Sequence, residues 1–268
     1  MKPTVVAITG STRGIGLGLA EAFLERGLKV LISGRGQSTV DKVCHSLTAR
    51  YGAGQVAGQV CEVTEYDQIK SLWIHGVATF GHIDIWINNA GMNQKSNLFW
   101  EQEPEQVKQI LEVNLLGVMH GSHVALEGMS KQGGGHLYNM EGLGSDGRIL
   151  SGHTSYGTTK YGLAYFTKSL AKEVEGSPVR VSALSPGMVV TDLLLDNVDR
   201  ESTEIEKAKK IFNILADRVE TVTPWLVERI LKNTSNGGGI RWLTPGKIIW
   251  RFLTAPVRKR EVLGSQLD

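Results

Sequence analysis

Six short runs of consecutive apolar residues, separated by stretches of helical period, constrain this chain more than any other feature. The runs lie at 4–9, 28–33, 55–61, 83–88, 136–139 and 179–184, and the helical stretches at 15–26, 38–51, 65–80, 104–131 and 154–175. A strand with one face in water alternates apolar and polar residues, whereas a continuous apolar run predicts a strand covered on both faces. Such strands joined by helices predict right-handed βαβ units, and hence an α/β fold with a doubly wound parallel sheet. No linker or internal repeat interrupts the pattern, so the expectation is a single domain over 1–268.

Beyond residue 184 the pattern changes. Ser185, Pro186 and Gly187 break the chain, and 192–235 reads as largely helical, with Ile205, Ala208, Ile211, Phe212 and Ile214 on one stripe. Gly237, Gly238 and Gly239 lead into a last strand at 240–244, and 245–268 forms a C-terminal extension. With 41% hydrophobic and 21% charged residues, the composition excludes a disordered or fibrous chain. A net charge of +2 provides no concentrated basic face for nucleic acid. Cys44 and Cys61 have neither C-x-x-C spacing nor paired histidines, so no metal site and no disulfide are expected, and a reducing compartment is. No run approaches the ~20 apolar residues that span a bilayer. Only Met1, Lys2 and Pro3 precede the first run, which predicts a soluble cytoplasmic chain without a signal peptide.

The first strand leads directly into Thr9, Gly10, Ser11, Thr12, Arg13, Gly14, Ile15 and Gly16, and then a helix. Glycines at such a turn let the backbone approach a pyrophosphate, whose charge the helix N-terminal amides stabilise. At the first crossover of a parallel sheet this is a dinucleotide site, and the sheet is of Rossmann type. An NAD site carries an acid about 20 residues on, for the ribose 2′-hydroxyl. Here the end of the second strand is Gly34, followed by Arg35. An acid would repel a 2′-phosphate, whereas Arg13 and Arg35 can pair with it, so the expected cofactor is NADP(H). Glu62 and Val63 close the third strand where an adenine edge would lie. Asn88, Asn89, Ala90 and Gly91 close the fourth, keeping the floor under a nicotinamide ribose open.

Tyr156 and Lys160 stand four residues apart at the start of a helix whose apolar positions include Leu163, Phe166, Leu170 and Val174. The phenol and the ammonium therefore project from one face. A free tyrosine, with a pKa near 10, is a poor acid–base catalyst at neutral pH. A nearby lysine and the positive charge of an oxidised nicotinamide both favour the phenolate, which is the tuning general acid catalysis needs. Asn114 falls between Ile110 and Val118 on an apolar stripe, where it requires a hydrogen-bond partner or marks a helix kink.

Together, and in this order, the glycine turn, the 88–91 motif and Tyr156 with Lys160 resemble the short-chain dehydrogenase/reductase family over essentially the whole chain. The resemblance implies that Tyr156 is the proton donor to a carbonyl oxygen. Lys160 would bind the ribose hydroxyls and lower the tyrosine pKa, and Asn114 would support a proton-relay water. Pro186, Gly187, Val189 and Thr191 would grip the nicotinamide carboxamide, and 192–218 would form a substrate lid. Helices over 104–131 and 154–175 resemble the family's subunit interface, which implies a homodimer or homotetramer. One departure stands out. The family's catalytic serine, about thirteen residues before the tyrosine, is replaced by Leu143, beside Gly142. Ser145 is the nearest hydroxyl and the candidate replacement, with Glu141 the alternative polar group.

The stretches 139–147, 185–194, 211–217 and 251–254 are similar to plant-type chlorophyll b reductases, which share the serine departure. This narrower resemblance implies NADPH-driven reduction of the C7 formyl group of chlorophyll b or chlorophyllide b to a hydroxymethyl group. A 3-oxoacyl thioester, a sugar or a steroid remains an alternative substrate. A non-catalytic NADP(H)-sensing module is a further alternative, against which Tyr156, Lys160 and Asn114 argue. From 236 onward six basic residues oppose two acidic ones, interleaved with Trp242, Ile248, Ile249, Trp250, Phe252 and Leu253. Such a segment either makes a peripheral contact with an anionic membrane or packs on the core or a second subunit.

Overall fold

The computed structural model describes residues 4–195, 205–258 and 260–263. In chain order the elements are β1 (Val5–Ile8), α1 (Gly14–Leu24), β2 (Lys29–Gly34), α2 (Gln37–Tyr51), β3 (Val56–Val60), α3 (Tyr66–Phe80) and β4 (Ile85–Asn88). There follow α4 (Pro104–Leu111), α5 (Gly117–Gln132), β5 (Gly135–Met140), α6 (Thr154–Glu173), β6 (Val179–Ser185) and β7 (Val189–Val190). The remainder comprises α7 (Asp192–Leu195), α8 (Ile205–Leu215), β8 (Asp217–Arg218), α9 (Val219–Lys232), β9 (Gly239–Arg241) and α10 (Pro245–Thr254). Seven of these strands form one sheet in the order β3-β2-β1-β4-β5-β6-β9, parallel throughout.

Strand alternation decides which helix covers which face. Val6 and Ile8 of β1 join a core with Leu19 and Phe23 of α1, Leu47 of α2 and Leu226 of α9. Val5 and Ala7, one residue out of phase, join a second core with Leu72 of α3, Met129 of α5 and Leu170 of α6. Both sets are buried, which is why the strand sequences carry no polar alternation. The strand order reverses between β1 and β4, and the crevice outside the carboxyl ends of those strands is where such folds bind ligands.

The expected helix 104–131 is not continuous. A π-helical turn, Glu112–Leu116, separates α4 from α5 and carries the fully buried Asn114. The region 192–235 is also less uniformly helical than its periodicity predicts. Asp217 and Arg218 pair in parallel with Val189 and Val190, as strands too short to leave a periodic signature. The expected stripe residues Ile205 and Ala208 have side chains outside the described residues, as do parts of the expected lid (196–204) and extension (259 and 264–268). The extension packs on the protein, with α10 against α8.

Asn88 ties β4 to its neighbours. Its Oδ1 accepts from Trp86 Nε1 at 2.8 Å, and its Nδ2 donates to Asn139 Oδ1 at 2.9 Å and Ser122 Oγ at 3.1 Å. The network requires α5 to approach closely: a Cβ at Gly121 would lie 2.1 Å from Asn88 Oδ1. Gly121→Ala is therefore expected to lower the urea midpoint. Overpacking costs about 1–3 kcal/mol, which outweighs the ~1 kcal/mol helix-propensity gain of alanine over glycine. Gly162→Ala on α6, where a Cβ finds only ordinary contact with Leu115, is the control and is expected to raise the midpoint.

Candidate active site

The glycine turn and the end of β4 form one interlocked surface. Thr9 Oγ1 accepts from the backbone N–H groups of Asn89 and Ala90, at 3.0 and 3.1 Å. Asn89 Nδ2 donates in return to the carbonyls of Thr9 and Gly10, both at 2.9 Å. Space at this contact admits no side chain. A Cβ at Gly16 would lie 2.4 Å from Gly10 O, and one at Gly10, where φ is +61°, would lie 2.8 Å from Ala90 Cα. Ser11 completes the turn by donating to Ile8 O and accepting from Ser33 N–H. Helix α1 starts with Arg13 in extended conformation, no side-chain cap and no acid in its first turn. Its N-terminal amides are thus available to an anion.

At the end of β2 a Cβ on Gly34 would lie 2.8 Å from Thr12 Cγ2, so Thr12 occupies the space that an acidic side chain there would need. Arg35 and Arg13 sit at the rim, their side chains 74% and 66% exposed. Arg35 Nε lies 4.0 Å from Glu62 Oε2, and Arg13 Nη1 lies 3.6 Å from Asp192 Oδ2. Exposed pairs of this kind are weak, so both guanidinium groups can exchange their partners for a stronger anion.

Tyr156 and Lys160 lie in the first turns of α6, with Lys160 Nζ 5.7 Å from the phenol ring centroid. Lys160 is buried and donates to Met140 O at 3.1 Å. Burial lowers its pKa to about 8, against the opposing pull of the Glu141 carboxylate. Burial alone acts on the phenol, which is pushed up to about 12. The expected lowering by Lys160 is therefore absent in the protein by itself, and the phenol holds its proton at neutral pH. Glu141 is buried and pairs with Arg241 at 3.4 Å.

Asn114 closes the other side. Its Oδ1 accepts from Met92 N–H and its Nδ2 donates to Met92 O, both at 2.8 Å, so its amide pairs with the backbone beyond Gly91 as a peptide would. Its location in a π-helical turn matches the frequent occurrence of such turns at functional sites.

Ser145 does not line the cleft. Its hydroxyl accepts from Gly142 N–H at 3.0 Å, and its own N–H donates to Gly142 O at 3.1 Å. This turn carries Gly142 over the phenol, where a Cβ would come within 2.4 Å of the Tyr156 hydroxyl. Leu143 lines the cleft in the position where the family pattern has serine.

Gln94 escaped the sequence reading. It is fully buried, accepts from Tyr156 N–H at 2.8 Å and donates to Gly152 O at 2.7 Å, anchoring the start of α6. A glutamine in an irregular loop carries no periodicity and belongs to no motif, so nothing in the sequence marks it.

The cleft measures about 1380 Å³. The glycine turn, Arg35, Glu62, Val63, Asn89, Ala90 and Gly91 line one end, with Tyr156 and Lys160 at its floor. Pro186, Gly187, Val189 and Thr191 cross it, and a Cβ on Gly14 would lie 3.4 Å from the Thr191 methyl. Away from the glycine turn the cleft presents Leu143, Leu150, Leu193, Phe212, Leu215 and Leu243, interspersed with Asn93, Arg148, His153 and Asp192.

A nucleotide cradle beside a half-buried phenol and a buried ammonium defines an oxidoreductase of the NAD(P)(H)-using type. The chain belongs to the short chain dehydrogenase family, whose profile matches residues 4–202. It is 35% identical, over 96% of its length, to the probable chloroplastic chlorophyll(ide) b reductase NYC1 of Arabidopsis thaliana, and 38% identical over 94% to chlorophyll(ide) b reductase NOL of the same plant. The chain spans 54% of the first of these proteins and 70% of the second. It is also 34% identical to the 3-oxoacyl-[acyl-carrier-protein] reductase FabG of Haemophilus influenzae, over 82% of this chain and 86% of that protein. The fold matches the crystal structure of 3-ketoacyl-(acyl-carrier-protein) reductase from Brucella melitensis with a TM-score of 0.78 at 22% identity, over 89% of this chain and 96% of that one.

The lowered pKa of Lys160 gives a signed expectation. The ammonium is charged below about 8 and neutral above it, so affinity for an anionic dinucleotide is expected to weaken as pH rises through that value. Titration of the intrinsic fluorescence with dinucleotide at several pH values reads this limb. It should flatten in Lys160→Met.

Proposed function

We propose that this chain is an NADPH-dependent aldehyde reductase that converts the C7 formyl group of chlorophyll b or chlorophyllide b to a hydroxymethyl group. The observation that carries the reading is the half-buried Tyr156 phenol beside the buried Lys160 ammonium in a cleft that also presents Leu143, Leu150, Phe212 and Leu215. It occurs in a chain whose plant relatives, at 35% and 38% identity, are named for action on this pigment.

The cradle fits a dinucleotide, because Gly10, Gly14 and Gly16 line the open cleft without side chains and the α1 amides at their end are uncapped. The backbone from Thr9 to Gly16 holds the pyrophosphate. Arg13 and Arg35 take the 2′-phosphate in place of Asp192 and Glu62. Glu62 and Val63 border the adenine, while Asn89, Ala90 and Gly91, with Pro186, Gly187, Val189 and Thr191, enclose the nicotinamide riboside. Bound NADPH supplies the hydride.

Tyr156, kept protonated by burial, donates its proton to the carbonyl oxygen as that oxygen gains charge. The Lys160 ammonium lies 5.7 Å from the centre of the ring that then carries the negative charge. Asn114 holds the 91–92 backbone beside Lys160, where reprotonation starts. Ser145 acts through the turn, keeping Gly142 against the phenol. The chain forms one catalytic unit, with Leu193, Phe212 and Leu215 on the substrate side of the cleft. Self-association uses the side of α5 and α6 on which Leu116, Tyr161 and Tyr165 are exposed. No helix among the described residues is long and apolar enough to cross a membrane. The exposed Ile249, Trp250 and Leu253 of α10 offer a peripheral contact with the surface that holds the pigment.

Incubation with chlorophyll b and NADPH in detergent is expected to yield the hydroxymethyl product, and absence of turnover with both chlorophyll b and chlorophyllide b overturns the substrate assignment. Tyr156→Phe should lose about 10²–10⁴-fold in turnover, the usual worth of a positioned acid, while dinucleotide affinity is retained. Preserved turnover would place the proton donor elsewhere. For the cofactor, Arg35→Ala is expected to weaken NADPH binding about tenfold, in line with the loss of a charge-assisted hydrogen bond, and to leave NADH within about twofold. Equal losses would mean that the 2′-phosphate is read by another group.

A further inference from the structure

The last carbonyls of any helix lack partners within it. At the end of α8 the partners come from far along the chain. Arg251 Nη1 donates to Leu215 O at 2.7 Å, and Arg260 donates to Ile214 O at 2.7 Å and Ala216 O at 2.9 Å. The same two guanidinium groups converge on one buried carboxylate. Asp217 accepts from Arg251 at 2.7 and 3.0 Å, from Arg260 at 2.6 Å and from Trp242 Nε1 at 2.6 Å. The backbone N–H groups of Val262 and Leu263 also reach back, donating to Asn213 Oδ1.

These contacts meet at the substrate side of the cleft. Asp217 N–H donates to Met188 O at 3.0 Å, and Asp217 is the register partner of Val189 in the β7–β8 pair. Trp242 N–H donates to Ser185 O at 2.9 Å, and its neighbour Leu243 packs so closely on Gly187 that a Cβ there would lie 2.6 Å from Leu243 Cβ. Phe212, Leu215 and Leu243 all line the cleft. Asp217 thus joins the end of α8, the 186–191 strap and Leu243. Asp217, Trp242, Arg251 and Arg260 all lie beyond the residues matched by the family profile, which end at 202.

We propose that Asp217, held by Arg251 and Arg260, is a positioning residue through which the C-terminal segment sets the substrate side of the cleft. The glycine turn and the Tyr156–Lys160 floor belong to other elements, while the 186–191 strap is shared with the nicotinamide side, so loosening the network is expected to act on how the carbonyl substrate is held far more than on dinucleotide affinity. The inference rests on the carbonyl-reductase reading of the cleft, and its test includes a measurement that needs no substrate.

The variants are Asp217→Asn and the milder Arg260→Met, with Arg260→Lys as the conservative replacement. Arg260→Met is expected to raise the KM for chlorophyllide b about tenfold, with kcat and the NADPH Kd within about twofold, and Arg260→Lys to recover part of the loss. Trypsin cleavage after the exposed Lys210 of α8, followed by mass spectrometry, is expected to quicken about tenfold in Arg260→Met and Asp217→Asn relative to cleavage at sites in α1 to α6 of the same variant. If the wild type reduces neither pigment form, the functional reading fails while the cleavage rates still decide the inference. Wild-type cleavage rates in both variants would overturn it. So would a rise in the NADPH Kd that keeps step with KM, since that would mean a general loosening of the fold.

Discussion

The active side of this molecule depends on the contact between the ends of two adjacent strands. Where β1 and β4 run out, the Thr9 hydroxyl receives two amide hydrogens from the 89–90 backbone, and the Asn89 side chain returns two to the 9–10 backbone. Every backbone polar group at such a junction must find a partner. Here the partners come from across the gap between the strands. The exchange brings the two chain segments so close that only glycine fits at Gly10 and Gly16. That closeness leaves the α1 amides facing open space. The junction is also continuous with Gly91, whose neighbour Met92 is held by Asn114, and so with the side of Lys160.

Burial supplies the second organising effect, and it acts on phenol and ammonium in opposite senses. The phenol is driven to remain neutral and the ammonium toward losing its charge. Both shifts follow from removing a charge from water. The phenol therefore keeps its proton but holds it more tightly than a free tyrosine does, and Glu141, itself paired with Arg241, is the buried group that sustains charge on the lysine.

Much of this was legible in the residues. Continuous apolar runs located the strands because both sheet faces are covered, and the glycine turn located the nucleotide end because the fold has one crossover where such a turn is useful. The i, i+4 spacing placed Tyr156 and Lys160 together. Other features left no trace. The π-helical turn at Asn114 does not interrupt the apolar stripe of its helix, so periodicity alone predicts an unbroken element. The β7–β8 pair is two residues long, below any period. Ser145 has the right chemistry and lies near the right place, yet its hydroxyl serves a turn, which only the path of the backbone reveals. The role of Gln94 arises from contacts across 58 and 62 residues and the side-chain partners of Asp217 from contacts across 25 to 43, and sequence order says nothing of them.

The packing of Thr12 against Gly34 has a consequence for how the nucleotide end of the protein can change over generations. Both branches of the threonine crowd the missing Cβ, with Cγ2 at 2.8 Å and Oγ1 at 3.0 Å, so a side chain added there requires Thr12 to turn or the backbone to shift. A carboxylate at position 34 would compete with Thr12 for the same space, and a smaller residue at position 12 would free room for an acid at the end of the second strand.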